Sequence, residues 1–145
     1  MNEVLEYEAG AVSDRSPEKE ADILEVLNYR GALRQAEQLL PGPPISGRLL
    51  RTVHEPLMEG VRGRDKAPGE FRRIQNWIGP ASSAIEEASF VPIPPETLAD
   101  GMSTWERYVH QADAPDPMVQ LAVAHAEFEA LHPFLETVTA GSGVC

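Results

Sequence analysis

His132 is the residue of this chain whose type and position best suit proton transfer. A neutral imidazole titrates near the pH at which most proteins work, so it can accept a proton from a hydroxyl group. His132 follows an apolar run with helical spacing and precedes Pro133, which cannot continue a helix. This order predicts a ring at a helix end, facing a loop. The alternative is a buried or helix-capping histidine.

The residues around His132 resemble a known family signature. The run His-Pro-Phe-Leu-Glu at 132–136 matches the His-Pro-Phe-x-Asp/Glu that opens the Fic signature. Earlier segments resemble the same family in the same order: its first helix, the loop before its flap, and the flap itself. These segments are 25–29, 57–63 with 68–72, and 75–79 with 90–95. The resemblance covers residues 20 to 136.

This resemblance implies transfer of AMP from ATP to a Ser, Thr or Tyr hydroxyl of a target protein. His132 would be the catalytic base, and Glu136 a Mg²⁺ ligand beside the ATP phosphates. Phe134 would pack into the core beneath the loop. The flap would bind an extended target segment by strand addition, through Asn76, Trp77, Ile78 and Gly79. Two alternatives stay open: Glu136 as an ordinary surface residue, and the flap as a cover for the core.

The chain departs from the signature after Glu136. The family continues Gly-Asn-Gly-Arg-x-x-Arg, whereas residues 137–145 read TVTAGSGVC. Backbone N–H groups and arginines are the main stabilisers of a phosphoryl group in transfer. We therefore expect the chain to bind ATP and Mg²⁺ poorly and to be catalytically inactive.

A two-nucleotide duplication would account for this departure. Residues 136–145 can be encoded GAG ACG GTA ACG GCC GGG TCG GGC GTC TGC. Without the first two letters, the message reads Asp-Gly-Asn-Gly-Arg-Val-Gly-Arg-Leu. The third positions are our choice, but the first two letters of most codons are set by the residues. We hypothesise that a duplicated GA after Leu135 shifted the frame and replaced the rest of the domain.

Four helices are predicted to position these residues, at 17–40, 46–59, 95–111 and 118–135. Residues 70–73 predict a short helical turn, and 75–95 a small hairpin whose prolines confine it to an edge. In the fourth helix an apolar stripe predicts burial along one face. Its members are Met118, Leu121, Ala122, His125, Phe128, Leu131 and Leu135.

The predicted class is all-α, a Fic-type helical domain with a small β-hairpin flap and a truncated C-terminal end. We expect a flexible segment at 1–16, a partial Fic domain at 17–136 and an aberrant, frameshifted tail at 137–145. His125 is predicted to lie in the core or to support a site residue, and not to be a ligand itself. His54 and His110 have no partner pattern, so solvated or structural roles are expected.

Charge and composition restrict the partners. The net charge is −11, which argues against a nucleic-acid partner. From residue 74 onward Arg107 is the only basic residue against ten carboxylates, so a triphosphate near His132 would find little positive charge. No apolar run is long enough to span a membrane, and the single cysteine, Cys145, indicates a cytoplasmic protein. A non-enzymatic binding module and an inert product of a disrupted gene are the alternative functions.

Overall fold

Four helices make up most of the described chain. The computed structural model describes residues 16–60, 67–80, 84–113 and 116–135, with Tyr7 and Ala9. In these ranges the α-helices are α1 Pro17–Leu39, α2 Gly47–Leu57, α3 Leu98–Val109 and α4 Pro117–Leu131. Single 3-10 turns at Ile85–Glu87 and Pro95–Thr97 lie between α2 and α3. The predicted all-α class is confirmed. The predicted tail at 137–145 and most of the segment at 1–16 lie outside the described residues.

Side-chain caps explain where the helices begin. The Oγ atoms of Ser16 and Ser46 accept hydrogen bonds from the N–H groups of Lys19 and Leu49. Asp116 caps α4 by accepting from the N–H groups of Met118 and Val119. Both α1 and α4 have a proline in the first turn, where a missing N–H costs nothing. The predicted third helix starts later, because residues 95–97 form a 3-10 turn before α3.

The core lies between α3 and the elements around it. Leu98, Met102 and Trp105 of α3 are buried, and partly buried side chains surround them. These surrounding residues are Leu50, Phe71, Ile93, Val109, Phe128 and Leu131. The Trp105 indole donates to the carbonyl of Ala124 at 2.7 Å, which fixes α4 against α3. A Cβ at Gly101 would lie 2.7 Å from Leu131 Cδ2, so an alanine there would have to displace the end of the Leu131 side chain.

A side chain of α1 holds the end of α2. Asn28 Nδ2 donates to the carbonyls of Glu59, at 2.5 Å, and of Leu57, at 3.4 Å. These carbonyls lie at and just beyond the C-terminal end of α2, where backbone acceptors have no partner within the helix. Asn28 thus fixes α1 to the C-terminal end of α2.

Two predictions about local structure were wrong. The stripe of α4 is not buried along its length: Met118 is 72% and Leu121 63% exposed, and His125 is exposed as well. Burial is confined to the part of α4 that packs on the α3 core, through Phe128 and Leu131 of the stripe and through Ala124, whose carbonyl accepts from Trp105. Residues 70–73 form no helical turn, because the N–H of Arg72 donates to the distant carbonyl of Pro133.

Candidate active site

His132 ends α4 in a left-handed backbone conformation. Its φ is 44° and its ψ is 61°, and its N–H donates to the carbonyl of Phe128 at 3.0 Å. Pro133 disfavours a right-handed helical conformation in the residue before it, so α4 cannot continue through His132. The residue is only 8% exposed. The predicted position of His132 at a helix end is confirmed. The residue is also buried and caps the helix, as the alternative prediction for it stated.

Three successive carbonyl groups at the end of α4 are bound by a single residue, Arg72. Its side chain donates to the carbonyls of His132, at 2.9 Å from Nε, and Leu131, at 3.2 Å. Its backbone N–H donates to the carbonyl of Pro133 at 2.8 Å. The carbonyl end of a helix carries partial negative charge, so a cation there is favourable. Arg72 therefore caps α4 and holds the turn that contains His132.

The same guanidinium is buried at the centre of the site. Arg72 is 3% exposed, and burial lowers its pKa, while the charge of Glu96 acts in the opposite direction. It also donates to the carbonyls of Ile93, at 2.5 Å, and Ile74, at 3.4 Å. Carbonyl oxygens thus take the place of water around this charge. Arg72 ends the family-like segment at 68–72, and the sequence predicted no role for it.

An aromatic stack supports the turn from below. The rings of His54 and Phe134 lie 4.0 Å apart and nearly parallel, at 8°. The ring of Phe71 also contacts the ring of Phe134, with centroids 5.3 Å apart. The predicted inward packing of Phe134 is confirmed, whereas the loop predicted to lie above it falls outside the described residues.

His54 in this stack is a neutral imidazole. Its Nδ1 accepts the N–H of Gly69 at 3.0 Å, so its proton resides on Nε2. Burial lowers the pKa of His54. Gly69 has φ of +70°, a conformation in which glycine meets no steric penalty. Of the two roles expected for His54, the structural one is confirmed.

The flap is a minimal hairpin. Ile78 and Phe90 form one antiparallel bridge. The distance from the Ile78 nitrogen to the Phe90 oxygen is 2.9 Å, and that from the Phe90 nitrogen to the Ile78 oxygen is 3.1 Å. Ile78 is 39% exposed and Phe90 39% exposed. Trp77 is half-buried, Gly79 is buried, and Asn76 is 2% exposed with no partner for its Oδ1 atom. Ile78 is therefore the predicted flap residue that presents its side chain to solvent.

The remaining predicted site residues fall elsewhere. Glu136 lies outside the described residues, so its role as a Mg²⁺ ligand stays a prediction. Within the described ranges, no group of three or more His, Cys, Asp or Glu side chains could hold a metal ion. His125 is exposed on α4, which contradicts its predicted place in the core. His110 has a structural contact, from its Nε2 to the carbonyl of Ile45 at 2.6 Å.

Other arginines near the turn are engaged by protein groups. Arg51 Nε donates to the carbonyl of Gly69 at 2.8 Å, and its guanidinium lies 5.8 Å from the centre of the Phe71 ring. Arg73 pairs with Glu70 at 2.9 Å, although both side chains are largely solvated. Binding of a phosphate group by either arginine would therefore compete with these contacts.

His132 is buried at the left-handed end of α4, and Arg72 connects it to both sides of the flap bridge. The sequence model of the Fic/DOC family matches residues 44–137. The chain belongs to the Fic/DOC family, as the signature around His132 predicted. No helix of the described residues is both long and apolar enough to cross a membrane.

A solved structure has a similar fold. The crystal structure of a Fic family protein from Desulfovibrio desulfuricans G20 matches with a TM-score of 0.64 and 22% sequence identity. The match covers 92% of this chain and 37% of the other protein. At this identity the likeness concerns the fold. The chain spans little more than a third of that protein's length.

Proposed function

We propose that this chain carries the base and the target-binding flap of an AMP-transferring Fic domain, without a working phosphate-binding loop. The observation that carries the proposal is the placement of His132, buried at the end of α4 and bound through its backbone by Arg72. A ring held there suits the removal of a proton from one defined position. Family membership supports the reaction class, and the target is a protein with a Ser, Thr or Tyr hydroxyl.

In the proposed reaction, His132 accepts the proton of the target hydroxyl as that oxygen attacks the α-phosphorus of ATP. The new bond is a phosphodiester between target and AMP, and the bond to the leaving pyrophosphate breaks. The flap would hold the target segment beside the imidazole by pairing with the extended backbone on either side of Ile78, whose own N–H and carbonyl bond to Phe90. His132 would then release its proton to solvent or to pyrophosphate.

ATP binding is the part of the reaction that this chain is proposed to lack. Residues 137–145 contain no arginine, and the described arginines at 51, 72 and 73 already have protein partners. The described residues offer no cluster that would hold a metal ion by protein groups alone. Mg²⁺ would have to enter with the ATP phosphates, with Glu136 as its protein ligand. Without donors to the phosphates, the transition state loses its main stabilisation.

Correction of the reading frame tests this proposal. The gene would be expressed as it stands and after removal of the two nucleotides that follow the Leu135 codon, in each case with and without His132→Ala. We expect AMP transfer from labelled ATP only from the corrected gene with His132 intact. Transfer by the present chain, or no transfer by the corrected one, would contradict the proposal. Sequencing of the locus should reveal an in-frame remainder of the domain downstream.

A second function, protein binding without catalysis, is favoured by the exposed apolar side chains of the flap. Ile74, Ile78, Phe90 and Val91 are between 39% and 49% exposed. The partner would be an extended protein segment that adds a strand beside Ile78. Capture of a host protein should be lost with Ile78→Asp and kept with Ile45→Asp, since Ile45 is 37% exposed on another surface. Equal capture by both variants would exclude the flap.

The cellular setting follows from the same proposal. ATP as substrate and one cysteine in the chain fit a cytoplasmic protein, with neither nucleic acid nor membrane as partner. The remaining alternative is an inert product that does not accumulate. An immunoblot of the native host distinguishes it, because a functional binding module must be present at a measurable level.

A further inference from the structure

One buried side chain connects the flap to the end of α4. Arg72 donates to Ile74 before the flap bridge, to Ile93 after it, and to Leu131 and His132 at the helix end. These four acceptors are main-chain carbonyls from three separate segments of the chain. A planar guanidinium can hold several carbonyls in one fixed arrangement, which a lysine ammonium cannot reproduce.

Backbone geometry at His132 depends on these bonds. A left-handed conformation is unfavourable for a non-glycine residue, and the residue before a proline prefers an extended conformation. Arg72 binds the carbonyls on both sides of the His132 α-carbon and that of Pro133. Because three successive peptide groups are fixed, the direction of the His132 Cα–Cβ bond is fixed as well.

We propose that Arg72 is a positioning residue that aims the His132 imidazole and couples its orientation to both ends of the flap. The inference rests on the proposed role of His132 as base. The flap bridge between Ile78 and Phe90 lies between the two flap carbonyls that Arg72 binds, those of Ile74 and Ile93. Movement of the flap when a target segment docks therefore reaches the base through the guanidinium.

Histidine-ring NMR spectra test this inference on the chain itself. The ring signals of His132 are assigned by their loss in His132→Gln and are then recorded in Arg72→Lys. The lysine keeps the positive charge but lacks the planar guanidinium that donates to several carbonyls. We expect the His132 signals to move by more than their line width or to split, because the turn samples more than one conformation. Arg73→Lys is the matched control, since Arg73 is 84% exposed and contacts Glu70. It should leave the His132 signals in place.

A second pair of variants tests the coupling. Ile78→Pro removes the N–H that Phe90 accepts and so opens the flap bridge. With Arg72 present, this change should move the His132 ring signals; in the Arg72→Lys background it should add no further movement. Unchanged His132 signals in Arg72→Lys, or an equal effect of Ile78→Pro in both backgrounds, would overturn the proposal.

A measurement on the unaltered chain keeps the test valid if the Arg72 variants fail to fold. The Nε–H of Arg72 should exchange slowly with solvent and show a scalar coupling across the hydrogen bond to the carbonyl carbon of His132. Rapid exchange without this coupling would refute the positioning role. None of these spectra depends on ATP or on AMP transfer. Failure of the proposed activity and failure of the positioning role therefore give different results.

Discussion

The imidazole of His54 and the ring of Phe134 lie parallel, with centroids 4.0 Å apart. The stack joins α2 to the turn that follows His132. Because Nδ1 of His54 accepts the Gly69 N–H, the stack also holds the loop that leads to Arg72. The turn that contains His132 is therefore fixed from two sides, by Arg72 through its carbonyls and by His54 through Phe134.

Stability should fall at mildly acidic pH because of His54. Burial lowers its folded-state pKa below the ordinary value of 6.5, so the unfolded chain binds the proton more readily. The free energy of unfolding should decrease as pH falls from 6.5 towards the folded-state pKa, with no contribution from this group above that range. Urea unfolding at several pH values, compared between the wild-type chain and His54→Gln, measures the difference. His125→Gln, an exposed histidine, is the control, and an equal slope in all three proteins would contradict this assignment.

Loss of the Phe134 ring should weaken the turn. Phe134→Ala removes contacts with His54 and Phe71, and a partly buried phenylalanine should cost about 2 kcal/mol of unfolding free energy. Phe134→Leu should cost less, because it keeps part of the apolar contact. Denaturant titrations of both variants check this order. Equal stability of Phe134→Ala and the wild-type chain would show that the stack does not support the turn.

The backbone conformation of His132 gives a prediction that is independent of catalysis. Glycine adopts the left-handed conformation without a Cβ penalty, whereas alanine pays about 1–2 kcal/mol for it. The greater freedom of glycine in the unfolded chain offsets about 0.5–1 kcal/mol of this difference, so His132→Gly should be more stable than His132→Ala by about 1 kcal/mol or less. Thermal unfolding of the two variants under the same conditions compares them. Greater stability of the alanine variant would contradict the left-handed turn.

The exposed face of α4 should contribute to association more than to stability. Met118 and Leu121 are 72% and 63% exposed, so Met118→Gln and Leu121→Gln should each change the unfolding free energy by less than about 0.5 kcal/mol. Met102→Ala in the core should cost about 2–5 kcal/mol. Because exposed apolar surface favours association, sedimentation should show less self-association of the two glutamine variants than of the wild-type chain. A large stability loss in either glutamine variant would mean that α4 is buried as the sequence predicted.

The helices could be predicted because the residues that begin and end a helix lie next to it in the sequence. Ser16 and Pro17 mark the start of α1, and Pro133 marks the end of α4. His132 was identified for the same reason, since its motif is contiguous.

Residues that act across the chain could not be found in this way. Arg72 and His132 are 60 positions apart, and the acceptors of Arg72 are backbone carbonyls, which leave no trace in side-chain patterns. His54 looked unpartnered because its partners, Gly69 and Phe134, are defined by the fold. Burial of the α4 stripe was wrongly predicted because periodicity identifies an apolar face and does not say whether the described chain covers it. The sequence signal for Arg72 was weak, since it consisted only of an arginine within the segment at 68–72 that resembles the family.

Titration of ATP with Mg²⁺ into the purified chain, followed by calorimetry, tests the central claim most directly. The same titration would use a variant in which residues 136–145 are replaced by Asp-Gly-Asn-Gly-Arg-Val-Gly-Arg-Leu. We predict no measurable binding by the chain as it stands and Mg²⁺-dependent binding once the loop is restored. Tight, Mg²⁺-dependent binding of ATP by the unaltered chain would contradict the account.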